Sequence, residues 1–311
     1  MEPLRHDDPR LIGPYTVVAR LDPPDGDVPV PEDRFLARSA DGDRTVLVGT
    51  ALAGADAGRF AVETEGARRL IGAWSGPWFA PLTDAGEQDG LPWHACAYLP
   101  VLPLPAVLAA HGGPLPERTV RALGAALAEA LLTLHSGGVA HAGLSPAAVL
   151  VTADGLRLTC FGALRAAAPA GRRHGGLPGV ASGTVAPEGA AGGPPHPAGD
   201  VFALGAVLAY AATGHTVPER SELPDGLRGT VSACLAGDPA GRPRAERVLD
   251  ELTGTAPAGA GASGAAPRGR SRAAALFGPG WLPGHVITAL VRQSAALLAV
   301  ETSLPGASPH R

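Results

Sequence analysis

The chain has 311 residues, of which 45% are hydrophobic, 17% charged and 4% aromatic, and its formal net charge is −4. That charge gives no general electrostatic attraction to nucleic acid or to an anionic membrane surface. The cysteines at 96, 160 and 234 fit neither a disulfide framework nor a zinc-binding spacing, which predicts free thiols. The N-terminus is charged, and no stretch has the roughly 20 apolar residues needed to span a bilayer. We therefore expect a soluble, cytoplasmic protein.

Two residue types are missing altogether. The sequence contains no lysine and no asparagine, so arginine and histidine carry all the positive side-chain charge. A GC-rich genome would explain this bias, because lysine and asparagine codons are rich in A and T. Any chemistry that requires either residue is excluded for this chain.

Residues 13–95 are typical of short β-strands separated by turns. We predict strands and one helix there, with an Asp41-Gly42 hairpin turn between the second and third strands. The strands are Tyr15–Ala19, Phe35–Arg38, Thr45–Val48 and His94–Pro100, and the helix is Ala57–Leu70.

From residue 102 onward the hydrophobic periodicity is helical. Apolar residues at three- and four-residue steps predict helices over Arg118–His135, Val201–Ala212 and Arg244–Leu252. A segment rich in Gly, Ala, Pro and Ser over 254–280 predicts a linker, and a further amphipathic helix follows over 281–301. A small β-rich part followed by a larger helical part predicts an α+β fold.

Several motifs then occur in one order along the chain. His141–Leu150 resembles the catalytic loop of protein kinases, and Cys160-Phe161-Gly162 stands where those kinases carry Asp-Phe-Gly. Gly183–Glu188 resembles the end of their activation segment, Asp200–Gly205 the start of their central helix, and Asp238–Pro243 their Asp-Pro-x-x-Arg-Pro motif. The chain thus resembles the serine/threonine protein kinases of actinobacteria.

The resemblance implies a protein kinase-like domain over residues 11–253. Its small β-rich N-lobe is expected over 11–96, its hinge over 97–101 and its larger helical C-lobe over 102–253. A short tail over 1–10 would precede the domain. The linker (254–280), the helix (281–301) and a tail (302–311) would follow it.

The residues that match the family pattern are those that support the fold. By resemblance, Glu188 pairs with Arg242 in an ion pair that ties two parts of the C-lobe together. Asp200 is expected to accept hydrogen bonds from the backbone of the catalytic loop. His141 and Phe161 match the aromatic members of the family's internal hydrophobic spine.

The residues that depart from the pattern are those that carry the chemistry. Gly49 replaces the strand lysine, Gly143 the aspartate that accepts the substrate proton, and Ser145 the lysine that steadies the γ-phosphate. Ala148 and Cys160 replace the asparagine and the aspartate that hold the metal ions, and a thiol is a poor ligand for Mg²⁺. Phosphoryl transfer depends on the positioning and charge neutralisation that these groups provide.

Two further regions depart from the pattern. The segment from Leu21 to Arg34 has Gly26 in place of a glycine-rich loop, and its acidic residues are expected to repel a triphosphate. Ala142 replaces the arginine that reads a phosphorylated activation segment, although Ser182 and Thr184 could accept phosphate from another kinase. Glu63, the helix partner of the missing lysine, is expected to be either solvated or paired with a nearby arginine.

We therefore interpret the chain as a catalytically inactive pseudokinase that binds a protein partner, either an active kinase or a regulator. The C-lobe or the helix around Val286–Leu298 would provide the surface, and binding of ATP, Mg²⁺ or another metal is expected to be absent or weak. One alternative is a ligand or nucleotide sensor whose cleft is formed by Glu63, Cys96, Tyr98 and Leu99. Another is a weakly active or atypical serine/threonine kinase.

Overall fold

A computed structural model of the protein describes residues 1–23, 26–73, 76–168, 172–173, 176–254 and 271–303. The N-lobe is an antiparallel sheet in the order β1-β2-β3-β4-β6-β5, with helix α1 packed against β5 and β6. The strands are β1 (Leu11–Ile12), β2 (Tyr15–Arg20), β3 (Glu32–Ser39), β4 (Thr45–Ala51), β5 (Leu82–Gln88) and β6 (Leu91–Ala97), and α1 is Ala57–Ala73.

The register of the central strands decides what faces the interior of the cleft. The β3–β4 hairpin turns at the predicted Asp-Gly pair, where Gly42 has a φ of +78°, a conformation that glycine adopts without strain. In this register Gly49 of β4 lies directly between Arg34 of β3 and His94 of β6. Directly opposed residues on neighbouring strands share one face of a sheet. The arginine and the histidine therefore lie on either side of the glycine.

The C-lobe is built around the long helix α3, whose apolar face (Leu123, Leu127, Leu131) is buried. A small sheet in the order β7-β8-β9 lies beside it and carries the loops of the cleft. The strands are β7 (Leu102–Pro103), β8 (Val149–Thr152) and β9 (Gly155–Leu158). The helices are α2 (Leu104–His111), α3 (Glu117–Ser136), α4 (Ala163–Ala167), α5 (Pro187–Ala190), α6 (Pro197–Thr213), α7 (Asp225–Cys234), α8 (Ala245–Thr253) and α9 (Gly284–Ser303).

The elements predicted from periodicity are confirmed, with boundaries that shift by a few residues. The helix predicted over 281–301 begins at Gly284, directly after Pro283, which fits at the start of a helix but not inside one. The strand β5 and the helices α2, α4 and α7 are among the elements that were not predicted. The β5 sequence (LTDAGEQ) is mostly polar and carries no alternating apolar pattern.

The segment before α9 packs against the C-lobe. Residues 255–270 of the predicted linker lie outside the described residues. Beyond them, the hydroxyl of Ser271 and the backbone N–H of Arg272 donate to the carboxylate of Glu129 on α3. Phe277 lies between the rings of Trp78 and Trp281, with centroid distances of 5.0 and 4.6 Å. Residues 271–283 are thus packed against the C-lobe, directly before α9 begins.

The predicted N-terminal tail also contacts the N-lobe. Glu2 pairs with Arg20 of β2 through two backbone hydrogen bonds of 2.9 Å. Asp8 is buried and forms an ion pair with the same arginine. In the part of the chain that the structure describes, no helix is both long and apolar enough to cross a membrane.

Candidate functional site: the interlobe cleft

The loop His141–Leu150 is held in place by one buried carboxylate. Asp200, near the start of α6, accepts hydrogen bonds from the backbone N–H groups of His141 (2.7 Å) and Ala142 (2.9 Å). It also contacts the ring of His135 on α3, with 2.9 Å between Nε2 and the carboxylate. The aspartate therefore fixes the course of the loop independently of the side chains that the loop carries.

Two residues of the cleft have a backbone conformation that disfavours side chains. Ala142 has a φ of +55° and Cys160 a φ of +61°, in the left-handed region that costs a non-glycine residue about 1–2 kcal/mol. The neighbouring turns are closed by hydrogen bonds from Gly162 N to His141 O (2.8 Å) and from Leu164 N to Ala142 O (2.7 Å). Tertiary contacts thus stabilise a strained backbone at both positions.

His141 and Phe161 lie in contact behind this loop. Their rings meet edge to face, with centroids 5.7 Å apart and planes at 85°. His141 is fully buried, and this burial lowers the pKa of its imidazole to about 4. The histidine is therefore neutral at physiological pH and acts as an apolar packing element.

An ion pair between Arg242 and Glu188 joins two segments of the C-lobe. The guanidinium of Arg242 donates to both carboxylate oxygens of Glu188, at 2.7 and 2.8 Å. It also donates to the carbonyls of Ala236 (2.8 Å) and Ala198 (2.9 Å). Hydrogen bonding to Arg242 holds the pKa of Glu188 below its usual range. The pair joins the end of the activation segment to the segment that precedes α8.

The position that the resemblance assigns to the strand lysine is filled by neighbouring side chains. A Cβ atom added at Gly49 would lie 2.5 Å from Nε2 of His94 and 2.8 Å from Oε2 of Glu32. These two side chains contact each other at 2.7 Å. Burial alone would raise the pKa of Glu32, but His94 and Arg34 hold it below its usual range. A buried carboxylate and a histidine thus occupy the space beside the glycine.

Arg34 extends through the cleft from one lobe to the other. Its side chain is 1% exposed, and its Nε donates to Asp22 at 2.7 Å. Its Nη1 donates to the backbone carbonyl of Ala147, in the loop of the C-lobe, at 2.8 Å. Burial would lower the pKa of this guanidinium, but Asp22 raises it above the ordinary arginine value. A charged side chain of the N-lobe therefore fills the cleft and links the two lobes.

The acidic residues between Leu21 and Arg34 differ from the sequence expectation. Asp22 is paired with Arg34, Glu32 with His94, and Asp33 with Arg20. Asp25 lies outside the described residues. The expectation that these residues repel a triphosphate did not include these partners, two of which are arginines.

The position assigned to the catalytic aspartate has no room for a side chain. A Cβ atom at Gly143 would lie 1.9 Å from the carbonyl oxygen of Cys160 and 3.1 Å from the Cβ of Ala163. Contacts under 3.0 Å essentially never occur at real Cβ atoms. The loop and the Cys160-Phe161-Gly162 segment have closed on each other at this point.

The remaining departures from the family pattern serve local structure. Ser145 caps a short 3₁₀ turn by accepting a hydrogen bond of 3.3 Å from the N–H of Ala148, which is fully buried. The thiol of Cys160 lies 3.6 Å from Oε1 of Glu32, and burial raises its pKa. At neutral pH Cys160 is therefore a protonated thiol.

Glu63 is paired with an arginine, which is one of the two states expected from the sequence. The Nε of Arg165, on α4, donates to its carboxylate at 2.8 Å. The same guanidinium donates to Ala140 O at 3.1 Å and lies 4.9 Å from the ring centroid of Phe161. The start of the activation segment is thereby attached to α1.

The mouth of the cleft is apolar. Burial raises the pKa of the Cys96 thiol and of the Tyr98 hydroxyl to about 12 each. Leu99, by contrast, is 41% exposed. Cys96 belongs to a buried cluster, against which Tyr98 packs, drawn from both lobes and from α9: Leu21, Leu36, Leu47, Ala80, Cys96, Val101, Leu150 and Leu297.

A small cavity lies behind Cys96, between α1 and the sheet. Its volume is about 60 Å³, and Phe60, Ile71 and Leu82 form part of its apolar wall. Glu32 and His94 provide polar groups on the side toward the cleft. No group of three or more His, Cys, Asp or Glu side chains in the described residues is placed to hold a metal ion.

The two hydroxyls of the activation segment differ in accessibility. Ser182 is exposed, whereas Thr184 is buried and its hydroxyl donates to Ala181 O at 2.8 Å. As the segment is folded here, another kinase could reach only the serine of this pair.

Sequence reasoning missed the three side chains that fill the cleft. Arg34 and His94 become neighbours of Gly49 only through the pairing of three strands, and neither belongs to a motif. Leu297 lies on a helix that was predicted, but no local signal indicated where that helix would dock.

No protein-family model matches the chain. It is 37% identical over 279 residues to the probable serine/threonine-protein kinase PkwA of Thermomonospora curvata, a match that covers 81% of this chain and 36% of that protein. It is 35% identical to the serine/threonine-protein kinase AfsK of Streptomyces coelicolor, covering 81% of this chain and 33% of that protein. The chain therefore spans only about a third of the length of these relatives.

The fold is also found among solved structures. The kinase domain of PknI from Mycobacterium tuberculosis matches with a TM-score of 0.59 and 24% identity, covering 78% of this chain and 96% of that one. A point mutant of that domain gives a TM-score of 0.60 at 22% identity. The chain thus has the protein kinase fold and is homologous to the serine/threonine protein kinases of actinobacteria.

Proposed function

We propose that this chain is a pseudokinase, a kinase-like protein that does not transfer phosphate and acts as a regulatory module by binding another protein. The observation that carries the proposal is the closed position at Gly143, where a Cβ atom would lie 1.9 Å from the Cys160 carbonyl. An aspartate that accepts the substrate proton cannot be placed there without moving the backbone. The substituted side chains and the close packing around Gly143 thus both support the absence of phosphoryl transfer.

The donor set of the cleft does not fit a magnesium-bound nucleotide. Mg²⁺ prefers oxygen ligands in octahedral geometry, whereas the two positions that would hold it carry a protonated thiol and a buried methyl group. Arg34 and His94 flank the position of the strand lysine, and both side chains already contact carboxylates, those of Asp22 and Glu32. This lack of fit supports the absence of phosphoryl transfer.

Arg34 supplies the second line of support. Its guanidinium donates to the carbonyl of Ala147 from across the cleft, so a ligand entering between the lobes must displace a buried charge. A hydrogen bond made by a charged group contributes about 1.5–3 kcal/mol. A nucleotide would have to recover this free energy without a lysine or a metal ion.

Transfer of labelled phosphate from magnesium-ATP tests the proposal directly. We expect no incorporation into the chain itself or into a generic acceptor protein. We expect none either from a variant that restores the family residues (Gly49→Lys, Gly143→Asp, Ala148→Asn, Cys160→Asp), because two of these side chains have no room. Intrinsic phosphoryl transfer by the unmodified chain would refute the proposal and favour the weakly active kinase.

The Arg34→Met variant controls for contaminating kinases. A contaminant labels the variant and the parent chain equally, whereas label produced in this cleft changes, because Arg34 lies inside it. Equal label in both preparations therefore counts as contamination, and label that responds to the substitution counts against the proposal.

The protein-binding part of the proposal is supported by an exposed apolar stripe on α9. Ile287, Val291 and Leu298 are 44%, 62% and 59% exposed and lie on one side of the helix, separate from its buried face. Apolar side chains grouped on a surface in this way are typical of interaction sites. An active kinase or a regulator with a complementary apolar groove is the partner that we propose.

Co-purification with the full chain tests the stripe. Ile287→Asp and Val291→Asp should each abolish recovery of the partner. Ala296→Asp, which is exposed on the opposite side of the same helix, should leave recovery unchanged. Equal recovery with all three variants would exclude this helix as the binding surface.

The ligand-sensor alternative is less well supported by the dimensions of the cleft. Ligand pockets usually have volumes of about 300–1,000 Å³. The cavity behind Cys96 has a volume of about 60 Å³, and the one lined by Asp22, Gly26 and Arg34 has a volume of about 220 Å³. Both are smaller than this range. A sensor role would require the cleft to open first.

A further inference from the structure

Leu297 on α9 is buried in the mouth of the interlobe cleft. It is 4% exposed and joins the apolar cluster that contains Cys96 of β6 and Leu150 of β8. The neighbouring residue, Leu298, is 59% exposed. The C-terminal helix thus contributes one leucine to a cluster that the N-lobe and the C-lobe otherwise form together.

The beginning of α9 is firmly attached to the C-lobe. The hydroxyl of Thr119 donates to Trp281 O at 2.6 Å, and the indole N–H of Trp281 donates to Ala153 O at 2.8 Å. Val286 is fully buried, and Leu290 is 3% exposed. Satisfied hydrogen bonds and apolar packing therefore anchor the first two turns.

The distal half of α9 is attached less favourably. Gln293 is 5% exposed, yet neither its amide nitrogen nor its carbonyl oxygen has a hydrogen-bond partner among the described residues. The hydroxyl of Tyr98 in the hinge is likewise buried and without a partner there. Burying an amide without partners costs free energy of the same order as burying a leucine side chain gains. The two contributions therefore offset each other in this half of the helix.

We propose that the distal half of α9 is a reversible cover of the interlobe cleft, with Leu297 as the group that closes it. The first two turns remain docked while the distal half lifts, which exposes the apolar cluster around Cys96 and Leu150. The open cleft would admit an apolar ring or side chain. The proposed cover depends on the proposed function in one respect only, namely that the cleft binds a ligand and does not transfer phosphate.

Hydrogen exchange of the purified full chain, followed by mass spectrometry, tests the cover. Segments that open locally exchange faster than those that exchange only by global unfolding. We expect amides of 293–299 to exchange at least about tenfold faster than those of α3 in the unmodified chain, while 286–290 stay protected. Equal protection of 293–299 and α3 would overturn the proposal.

Variants at three positions test whether Gln293 and Leu297 control the exchange rate of 293–299. Gln293→Leu removes the unpartnered amide and should slow exchange of 293–299 by about tenfold, whereas Leu297→Asp should abolish their protection. Leu298→Asp places the same charge on the exposed neighbour and should leave exchange unchanged. Similar effects of the substitutions at 297 and 298 would contradict a closing role for Leu297.

Binding of the dye 1-anilinonaphthalene-8-sulfonate (ANS) reports whether the cleft itself opens. Leu297→Asp should increase ANS fluorescence, and Gln293→Leu should not. Should Leu297→Asp fail to fold, the exchange of Gln293→Leu still decides, because that variant is expected to be more stable than the parent. Faster exchange in Gln293→Leu would refute the proposal. Phosphate transfer is measured in none of these assays, so this inference and the proposed function can fail separately.

Discussion

Substituting alanine for Gly143 should destabilise the protein, although alanine is normally a conservative replacement. The new Cβ would lie 1.9 Å from the carbonyl oxygen of Cys160, which is itself hydrogen-bonded to the N–H of Ala163 at 3.2 Å. Gly143 is not among the positive-φ glycines, so the effect is steric and not conformational. Overpacking of about 1–3 kcal/mol, together with a weakened hydrogen bond, predicts a loss of about 2–4 kcal/mol.

Gly66 provides a matched control in the middle of α1. A Cβ atom there would meet no heavy atom within 4 Å. Replacing a glycine in a helix interior with alanine stabilises a protein by about 1 kcal/mol. The same chemical change is therefore expected to have opposite signs at positions 66 and 143.

Urea unfolding followed by circular dichroism measures both differences. We expect the midpoint to fall for Gly143→Ala and to rise for Gly66→Ala, with little change in the slope of either transition. If Gly143→Ala is as stable as the parent chain, the close approach of Gly143 and Cys160 does not exist in solution. The steric reason for the absence of a catalytic aspartate would then be wrong.

Three further predictions concern residues that hold the cleft together. Because the pKa of buried His141 is about 4 against 6.5 for the free side chain, the unfolded chain binds more protons between these values. The free energy of unfolding should be about 2 kcal/mol lower at pH 5 than well above pH 6.5. Urea titrations at the two pH values should show no such loss for His141→Leu. Equal acid sensitivity of both chains would contradict this. Glu188→Ala should cost about 3–5 kcal/mol in the same assay, since it leaves Arg242 buried without its carboxylate, and a cost below about 1 kcal/mol would disagree. Arg165→Met should release the activation segment from Glu63 and speed hydrogen exchange in α4, with α3 as the internal reference; unchanged exchange in α4 would show that the ion pair does not hold it.

The protein kinase fold was predictable from the sequence because its determinants are local or ordered along the chain. The periodicity of α3 and the Asp-Gly turn between β3 and β4 each lie within one segment. Motif order gave the expected positions of Asp200, Glu188 and Arg242, because these residues keep their spacing relative to recognisable neighbours. In the structure Glu188 and Arg242 are in contact, and Asp200 accepts a hydrogen bond from the backbone of the loop.

The contents of the cleft were not predictable in the same way. Which side chain occupies the space left by a missing lysine depends on the pairing of β3, β4 and β6, and on rotamers that no single segment determines. Arg34 and His94 carry no motif and are far apart along the chain. The departure from the family pattern at Gly49 was visible from one position, whereas the side chains that fill the space beside it could be identified only in the assembled sheet.

The destination of α9 shows a related limit. Its amphipathic pattern predicted an apolar face, which the sequence analysis assigned to a protein partner. The buried set (Val286, Leu290, Gln293 and Leu297) packs on the protein's own lobes. Helical periodicity specifies which side of a helix is apolar, but it contains no information about the surface that receives it.

The hydrogen bonds from the loop to Asp200 have a consequence for classifying kinase-like folds. They hold the main chain of His141 and Ala142 in its bent course without the help of any reactive group. The backbone course of this loop therefore reflects homology to kinases and does not indicate whether the loop carries the family's catalytic side chains. Surveys that sort such domains by the path of the polypeptide will group this chain with kinases that carry the family residues, and only an inventory of side chains and the room around them distinguishes the two.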